Sequence, residues 1–320
     1  MLRYSADRRT LLWMLVLSPG LVALQYAKPE LIPWICWLSF YFAISASVIA
    51  HNHQHCPTFK TKSGNTFFSY WISIIYGYPT FAWVPTHNLN HHKFVNKPGD
   101  ATITWRFTNR HNYLIASTYF FVSSWYQSGP INEFLARARK KSPEKYRQYI
   151  SQYFVVYGAH AAMAALAIYL YGWKEGFYVY GFTMGLPSIV ALWTVMTFNY
   201  DQHVHTDPWS KYNHSRNFEG ALTNFLLFNN GLHTVHHDNA GNHWSLLPAE
   251  HAKIRENIHP ELRQQSLFWY WTKQYILAPF APSLGTKQIG RAPFDTEDEE
   301  LDIATAEVGL GETGTNVARV

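Results

Sequence analysis

The chain has 320 residues, 48% hydrophobic and 17% aromatic, with a formal net charge of +5 and a mean hydropathy of −0.19. The apolar and aromatic content is rich for a protein that lives wholly in water. The mean hydropathy is too low for one wholly in lipid. Composition therefore excludes both extremes and points to a chain divided between membrane and water.

In chain order, Arg3, Arg8 and Arg9 precede the first of four apolar stretches, at residues 11–27, 31–50, 153–171 and 176–198. Each is near the roughly 20 residues that a helix needs to cross a bilayer. Pro19 and Gly20 predict a kink in the first. A signal peptide is the weaker reading of that stretch, because no small-residue cleavage site is clear and a second apolar stretch follows at once. Twelve Lys or Arg lie between residues 51 and 150, whereas the two short connections hold only Lys28 and Lys174. The positive-inside rule then puts the N terminus, both long segments and the C terminus in the cytoplasm. The expected fold is all-α and integral to the membrane. Four transmembrane helices form two hairpins, and residues 51–150 and 199–292 form a cytoplasmic helical cap.

The cap segments contain shorter apolar patterns at residues 67–84, 113–126, 221–228 and 267–276. They are expected to lie on the membrane interface or to pack the cap. A fifth crossing at 67–84, which Gly77 and Pro79 interrupt, would separate His87 and His91 from His51 across the membrane, and is rejected. Residues 1–292 form one membrane domain. Residues 293–320 form a tail; from residue 295 on it holds eight acids and one base, and it reads as disordered. Cys36 and Cys56 lie twenty helical residues apart, about 30 Å, too far for a disulfide.

The chemistry lies in the histidines. Three boxes, His51-Asn52-His53-Gln54-His55, His87-Asn88-Leu89-Asn90-His91-His92 and His233-Thr234-Val235-His236-His237, supply eight of the 17 without counting His53. A partial fourth motif, Asn199-Tyr200-Asp201-Gln202-His203, supplies a ninth. On a helix, residues three or four apart share a face, so each box aims imidazoles at one point. Neutral imidazole is a common ligand for iron, zinc, copper and nickel. Chance placement of surface and core histidines is the competing account, and three boxes with a partial fourth disfavour it. His51 and Asn199 begin where the second and fourth stretches leave the membrane, so a metal centre just below the membrane surface satisfies every motif.

The order HxxxH, HxxxHH, NxxxH, HxxHH resembles the integral-membrane fatty acid desaturase and hydroxylase superfamily over about residues 11–260. The resemblance implies two iron ions held by His51, His55, His87, His91, His92, His203, His233, His236 and His237, with Asn199 as a weaker, water-linked partner. It implies O2 as co-substrate and removal of hydrogen from an unactivated C–H bond of a fatty acyl chain. No catalytic residue beyond the ligands is assigned. His53 should face away from the metals. Asn242-His243-Trp244-Ser245-Leu246-Leu247-Pro248 is similar to bacterial desaturase-like and carotenoid-modifying members, which implies a bacterial inner membrane. Asp100, Asp201, Asp207 and Asp238 are candidate carboxylate partners for ligand histidines, with Asp238 preferred. Their bland roles are helix caps and turns.

The sequence carries no haem signature, no cysteine cluster for iron–sulfur and no glycine-rich dinucleotide loop. A separate ferredoxin, rubredoxin or cytochrome b5-like electron donor is implied, docking on the basic cytoplasmic face. No nucleic-acid partner is expected. Within the superfamily, the alternatives are a hydroxylase, a ketolase or a terminal-alkene-forming oxidase. Outside it stands a histidine-rich metal transporter, disfavoured because only His160 falls inside a stretch. A membrane zinc hydrolase needs far fewer ligands. His111, His160, His205, His214, His243, His251 and His259, with His53, are left without a metal role.

Overall fold

The computed structural model describes residues 1–295. The expectation of a disordered tail falls almost wholly outside the described residues. Among them, three helices are long and apolar enough to cross a membrane: α1 (Asp7–Ala27), α2 (Pro29–His55) and α5 (Pro143–His203). The first two coincide with the first two apolar stretches. The third and fourth stretches share α5, which Gly172 breaks with φ 74° and ψ 174°. There the chain doubles back. Ala167 packs against Val179 around Tyr26 and Ile32, and His160 Nδ1 lies 3.0 Å from the Tyr180 hydroxyl. A single glycine thus does the work of the short outer loop expected at this point.

Prolines shape the long helices. A proline inside a helix lacks an N–H and its ring meets the carbonyl four residues back. The chain answers by widening the preceding turn. A π-helical stretch, Leu12–Leu17, comes just before Pro19, and another, Gly181–Gly185, just before Pro187. The irregularity in α1 is therefore placed ahead of Pro19 rather than at it.

Between the spans lie α3 (Lys62–Tyr76) and α4 (Tyr113–Lys141). Thr61 caps α3 by accepting from the Gly64 amide, and Gly77 ends it in the left-handed region. At 15 residues α3 is too short to cross a bilayer. Phe68, Ile72 and Tyr76, four apart, form its buried face against α2 and α5. The α4 helix is twice as long as expected from its apolar part. Beyond Pro130 it runs through Glu133-Phe-Leu-Ala-Arg-Ala-Arg-Lys-Lys141, good helix formers with bases at the C-terminal end.

The rest of the cap is short. A parallel pair, β1 (Asn217–Phe218) with β2 (Arg263–Gln264), ties the segment after α5 to the end of the cap. Around it sit α6 (Ala221–Leu226), α7 (His233–Asp238), α8 (Leu247–Ile254) and α9 (Leu267–Trp271). Leu222, Phe225, Phe268 and Trp269 on α6 and α9 are exposed, as helices lying on a membrane interface would have them.

Gly77 joins α3 to α5 without space to spare. Its φ is +80°, and a Cβ there would lie 2.5 Å from Ser188 Cβ. Gly77→Ala is expected to cost about 2–3 kcal/mol through left-handed strain and overpacking. Gly20→Ala, with nothing within 4 Å, is expected to be silent. Thermal unfolding of both variants in detergent checks this; equal midpoints would refute it.

Candidate metal centre

Four elements deliver the histidines. His51 and His55 end α2, and His203 ends α5. His87 and His91 lie in a π-helical segment, Val84–His91, with His92 directly after it. His233, His236 and His237 are on α7. All nine converge, but in two groups. His51, His55, His87, His92 and His236 form one; His91, His203, His233 and His237 form the other.

In the first group, His51 Nε2 lies 2.9 Å from His87 Nε2 and 3.0 Å from His236 Nε2. His92 Nε2 lies 3.0 Å from both His87 Nε2 and His236 Nε2. The His55 ring stands 4.7 Å from those of His92 and His236, and its buried Nε2 has no hydrogen-bond partner. In the second group, His203 Nε2 is 3.0 Å from His91 Nε2, 2.9 Å from His233 Nε2 and 3.2 Å from His237 Nε2.

These contacts cannot all be hydrogen bonds. His91 Nδ1 donates to Asp100 Oδ2 at 2.8 Å, and His203 Nδ1 donates to the His214 carbonyl at 3.1 Å. A neutral imidazole has one N–H. The His203 Nε2 therefore presents a bare lone pair to three imidazole nitrogens at 2.9–3.2 Å, more than it can accept from. A cation among them reconciles that arrangement, so the residues fit a metal at each group. Burial and the repulsion of neighbouring rings hold His87, His92, His233, His236 and His237 well below the ordinary imidazole range. Neutral rings are the metal-binding form.

The carboxylate expected beside the ligands is Asp100, not Asp238. The loop after the second box folds back so that Asp100 Oδ2 meets His91 Nδ1 and accepts from the Asn96 amide at 2.8 Å. Burial works to raise the Asp100 carboxyl, but the charge and hydrogen bond of His91 and the hydrogen bonds of Thr102 outweigh it and hold it below its ordinary value. Asp238 is exposed and faces the charges of His214 and Lys211. Asp201 accepts from Trp271 Nε1 at 2.7 Å and from the Tyr275 hydroxyl, while Asp207 holds the turn into Trp209. Asn199, one turn before His203, donates to the Tyr119 hydroxyl at 3.4 Å.

Sequence reading missed Thr102, whose hydroxyl lies 2.9 Å from His91 Nδ1 and donates to Asp100. It missed Asn52, whose Oδ1 takes the His51 Nδ1 proton at 3.1 Å. Asn52 sits inside the first box, and its polarity at the end of an apolar helix was the available signal. Trp83 was missed too. Its ring lies 5.2 Å from that of His51 and 5.4 Å from that of His87. Trp83 and Thr86 also line an apolar cavity of about 270 Å³, together with Tyr76, Phe120, Leu192 and Val195.

Six of the remaining histidines are bonded elsewhere. His53 faces away from both groups, toward Thr58 and Ser69. His160 meets the Ile74 carbonyl, His243 meets Asp7, and His251 meets Glu219. His205 and His111 share Thr286.

Two predictions follow from this geometry. Asp100→Asn is expected to weaken metal retention about 10- to 100-fold, the usual effect of losing such a partner, while Asp238→Asn leaves it unchanged. Metal content after dialysis against a chelator decides between the two aspartates. His111 is pushed down to about 4 by burial, only partly offset by Asp201. Its folded value lies below the unfolded value of about 6.5, so the unfolded chain binds the proton first. Stability from this residue is complete above about pH 6.5 and falls as pH drops toward 4, by about 3 kcal/mol in full. His111→Gln should flatten the acid limb of a melting-temperature profile; an unchanged limb would refute the assignment.

With the fold and the two histidine groups in hand, comparison with known proteins is specific. The family described as fatty acid desaturase matches residues 30–271, which run from the start of α2 through α9 and contain all nine histidines. No curated protein and no solved structure matches the chain. The family match covers well over half of the 320 residues. The chain belongs to the fatty acid desaturase family, and with it to the oxidoreductases of the membrane.

Proposed function

We propose that this protein is an O2-dependent membrane oxidase with two iron ions that introduces a double bond into a fatty acyl chain. The observation that carries the reading is the sorting of nine histidines into two groups, one of them against Trp83, which lines an apolar cavity. His51, His55, His87, His92 and His236 would hold one ion. His91, His203, His233 and His237 would hold the other, with Asn199 reaching it through water. When bound, the ions supply O2 activation and the oxidising power for C–H cleavage.

The chain itself does three things. Asp100 takes the His91 Nδ1 proton and Asn52 takes that of His51, which fixes both tautomers with Nε2 bare. Trp83 sets a wall between the histidines and the cavity. The apolar lining from Tyr76 to Met196 excludes water and holds a hydrocarbon by contact alone, so depth in the cavity selects the carbon attacked. The acyl carrier is left open.

In this reading α1, α2 and the two arms of α5 cross the membrane as two hairpins. The cap and both termini are cytoplasmic, and the setting is a bacterial inner membrane. The distribution of Lys and Arg supports that orientation. A separate acidic redox protein of the ferredoxin, rubredoxin or cytochrome b5 class supplies electrons.

Metal analysis of the purified protein is expected to give about two irons per chain; a single zinc would overturn the reading. With O2 and an electron donor, the product should be lighter than the fatty acyl substrate by two hydrogens. A gain of one oxygen instead would assign a hydroxylase, and loss of CO2 an alkene former. His236→Ala should abolish both iron and product without preventing membrane insertion.

A further inference from the structure

Away from the metal centre, Arg9 is a charge without a counter-charge. Its guanidinium carbon lies 4.0 Å from the centre of the Phe228 ring, 4.6 Å from that of Phe225 and 5.1 Å from that of Trp244. One Nη2 donates to the Phe225 carbonyl, and the buried Nε has no hydrogen-bond partner. Among the described residues no carboxylate pairs with it. The aromatic faces stabilise the half-buried guanidinium and leave its charge available to an anion.

Arg9 lines a pocket of about 570 Å³ together with Asn224, His251 and Gln265. Arg255 lines it too but is paired with Glu219 and Glu256, which leaves Arg9 as the pocket's unpaired charge among the described residues. Glu219 also lines it, but His251, Arg255 and Arg263 hold that carboxylate at 3.0, 2.9 and 3.2 Å.

Across Ala221 and Gln265 the pocket continues into an apolar groove of about 450 Å³, between α2 and α5 on one side and α6 and α9 on the other. Leu222 and Phe268 at its rim are 71% and 79% exposed. Of the residues lining the cavity beside Trp83, only Val195 is shared with the groove. A polar pocket with a positive charge opening onto an apolar trough at the membrane boundary is the shape of an amphiphile.

We propose that the Arg9 pocket and the groove beneath α6 and α9 form a binding site for an anionic membrane lipid. The head phosphate meets Arg9, and one acyl chain lies in the groove. This site goes beyond the proposed oxidation and does not depend on it.

Native mass spectrometry of the detergent-purified protein tests the site, with dioleoyl phosphatidylglycerol and dioleoyl phosphatidylcholine as competing probes. Lipid retention is read as mass, so neither metal nor turnover enters the result. The native chain is expected to retain phosphatidylglycerol at least tenfold better than phosphatidylcholine. Arg9→Gln should erase that preference. Because Arg9 also clamps α1 to the cap, Ala221→Trp provides the second variant. Ala221 is exposed, and an indole there closes the junction of pocket and groove without touching Arg9. It should lower retention of phosphatidylglycerol about tenfold with an unchanged gel-filtration profile. Equal retention of the two lipids by the native chain, or full retention of phosphatidylglycerol by Ala221→Trp, would overturn the proposal. Displacement of phosphatidylglycerol by equimolar oleate would overturn it in favour of a free fatty carboxylate.

Discussion

Imidazole nitrogens crowded against one another at about 3 Å are the constraint on which the rest of this structure depends. His203 has given its only N–H to the His214 carbonyl, so one lone pair faces the nitrogens of His91, His233 and His237. A polar group left unsatisfied in a buried site costs about 1–3 kcal/mol. A cation bound there would offset that cost and link folding to metal. Bonds unconnected with metal must therefore hold the delivering segments in place. Asn217 takes the Thr234 amide at 3.0 Å at the start of α7. Asn96 donates to the His203 carbonyl at 3.0 Å, tying the loop after the second box to the end of α5.

Backbone geometry, as much as residue spacing, sorts the nine rings between two groups. On α-helical backbone, residues four apart share a face, and this holds at two boxes. His51 pairs with His55 in one group, and His233 pairs with His237 in the other. At the second box it fails. The segment Val84–His91 is π-helical, and Pro85 sits at its start. With i→i+5 bonding, the partner of His87 becomes His92, at 3.0 Å, and His91 turns to the opposite group. The HxxxHH spacing thus reads one way on an α-helix and another on the backbone the chain adopts. His236, between His233 and His237, crosses to the first group in the same way. Each of these two boxes serves both groups, which fixes the groups relative to each other.

Much of this was legible in the residues. Order, spacing and membrane position of the boxes singled out the nine histidines, and helical facing removed His53. What the sequence hid was set by long-range contact. Asp238 is adjacent to His237 in the chain, and nearness along the chain made it the preferred partner. Asp100 is eight residues beyond His92, and only the fold-back of its loop puts it on His91. The length of α4 was hidden because its second half is held by propensity and charge rather than by apolar pattern. The short connection after residue 171 was legible, but its reduction to a single break at Gly172 was not, because one residue of unusual backbone leaves hardly a mark on hydropathy.

The two groups also stand in different surroundings. The five-histidine group has the Trp83 ring against His51 and His87, and beyond that ring lies hydrocarbon-like space. The four-histidine group faces the polar network of Asp100, Thr102 and Tyr119, whose hydroxyl donates to the Thr102 carbonyl. Among the described residues, the only carboxylate bonded to a box histidine is Asp100, which does not line the cavity. A negative charge beside the cavity would be poorly solvated by its apolar walls and would draw water toward the reacting carbon. In the proposed reading, Asp100 behind His91 would compensate the positive charge of the ions while the face toward the acyl chain stays dry. The asymmetry would then give the two groups separate tasks. The five-histidine group would meet the hydrocarbon, and the four-histidine group, with Asp100 behind it, would carry the charge balance of the pair.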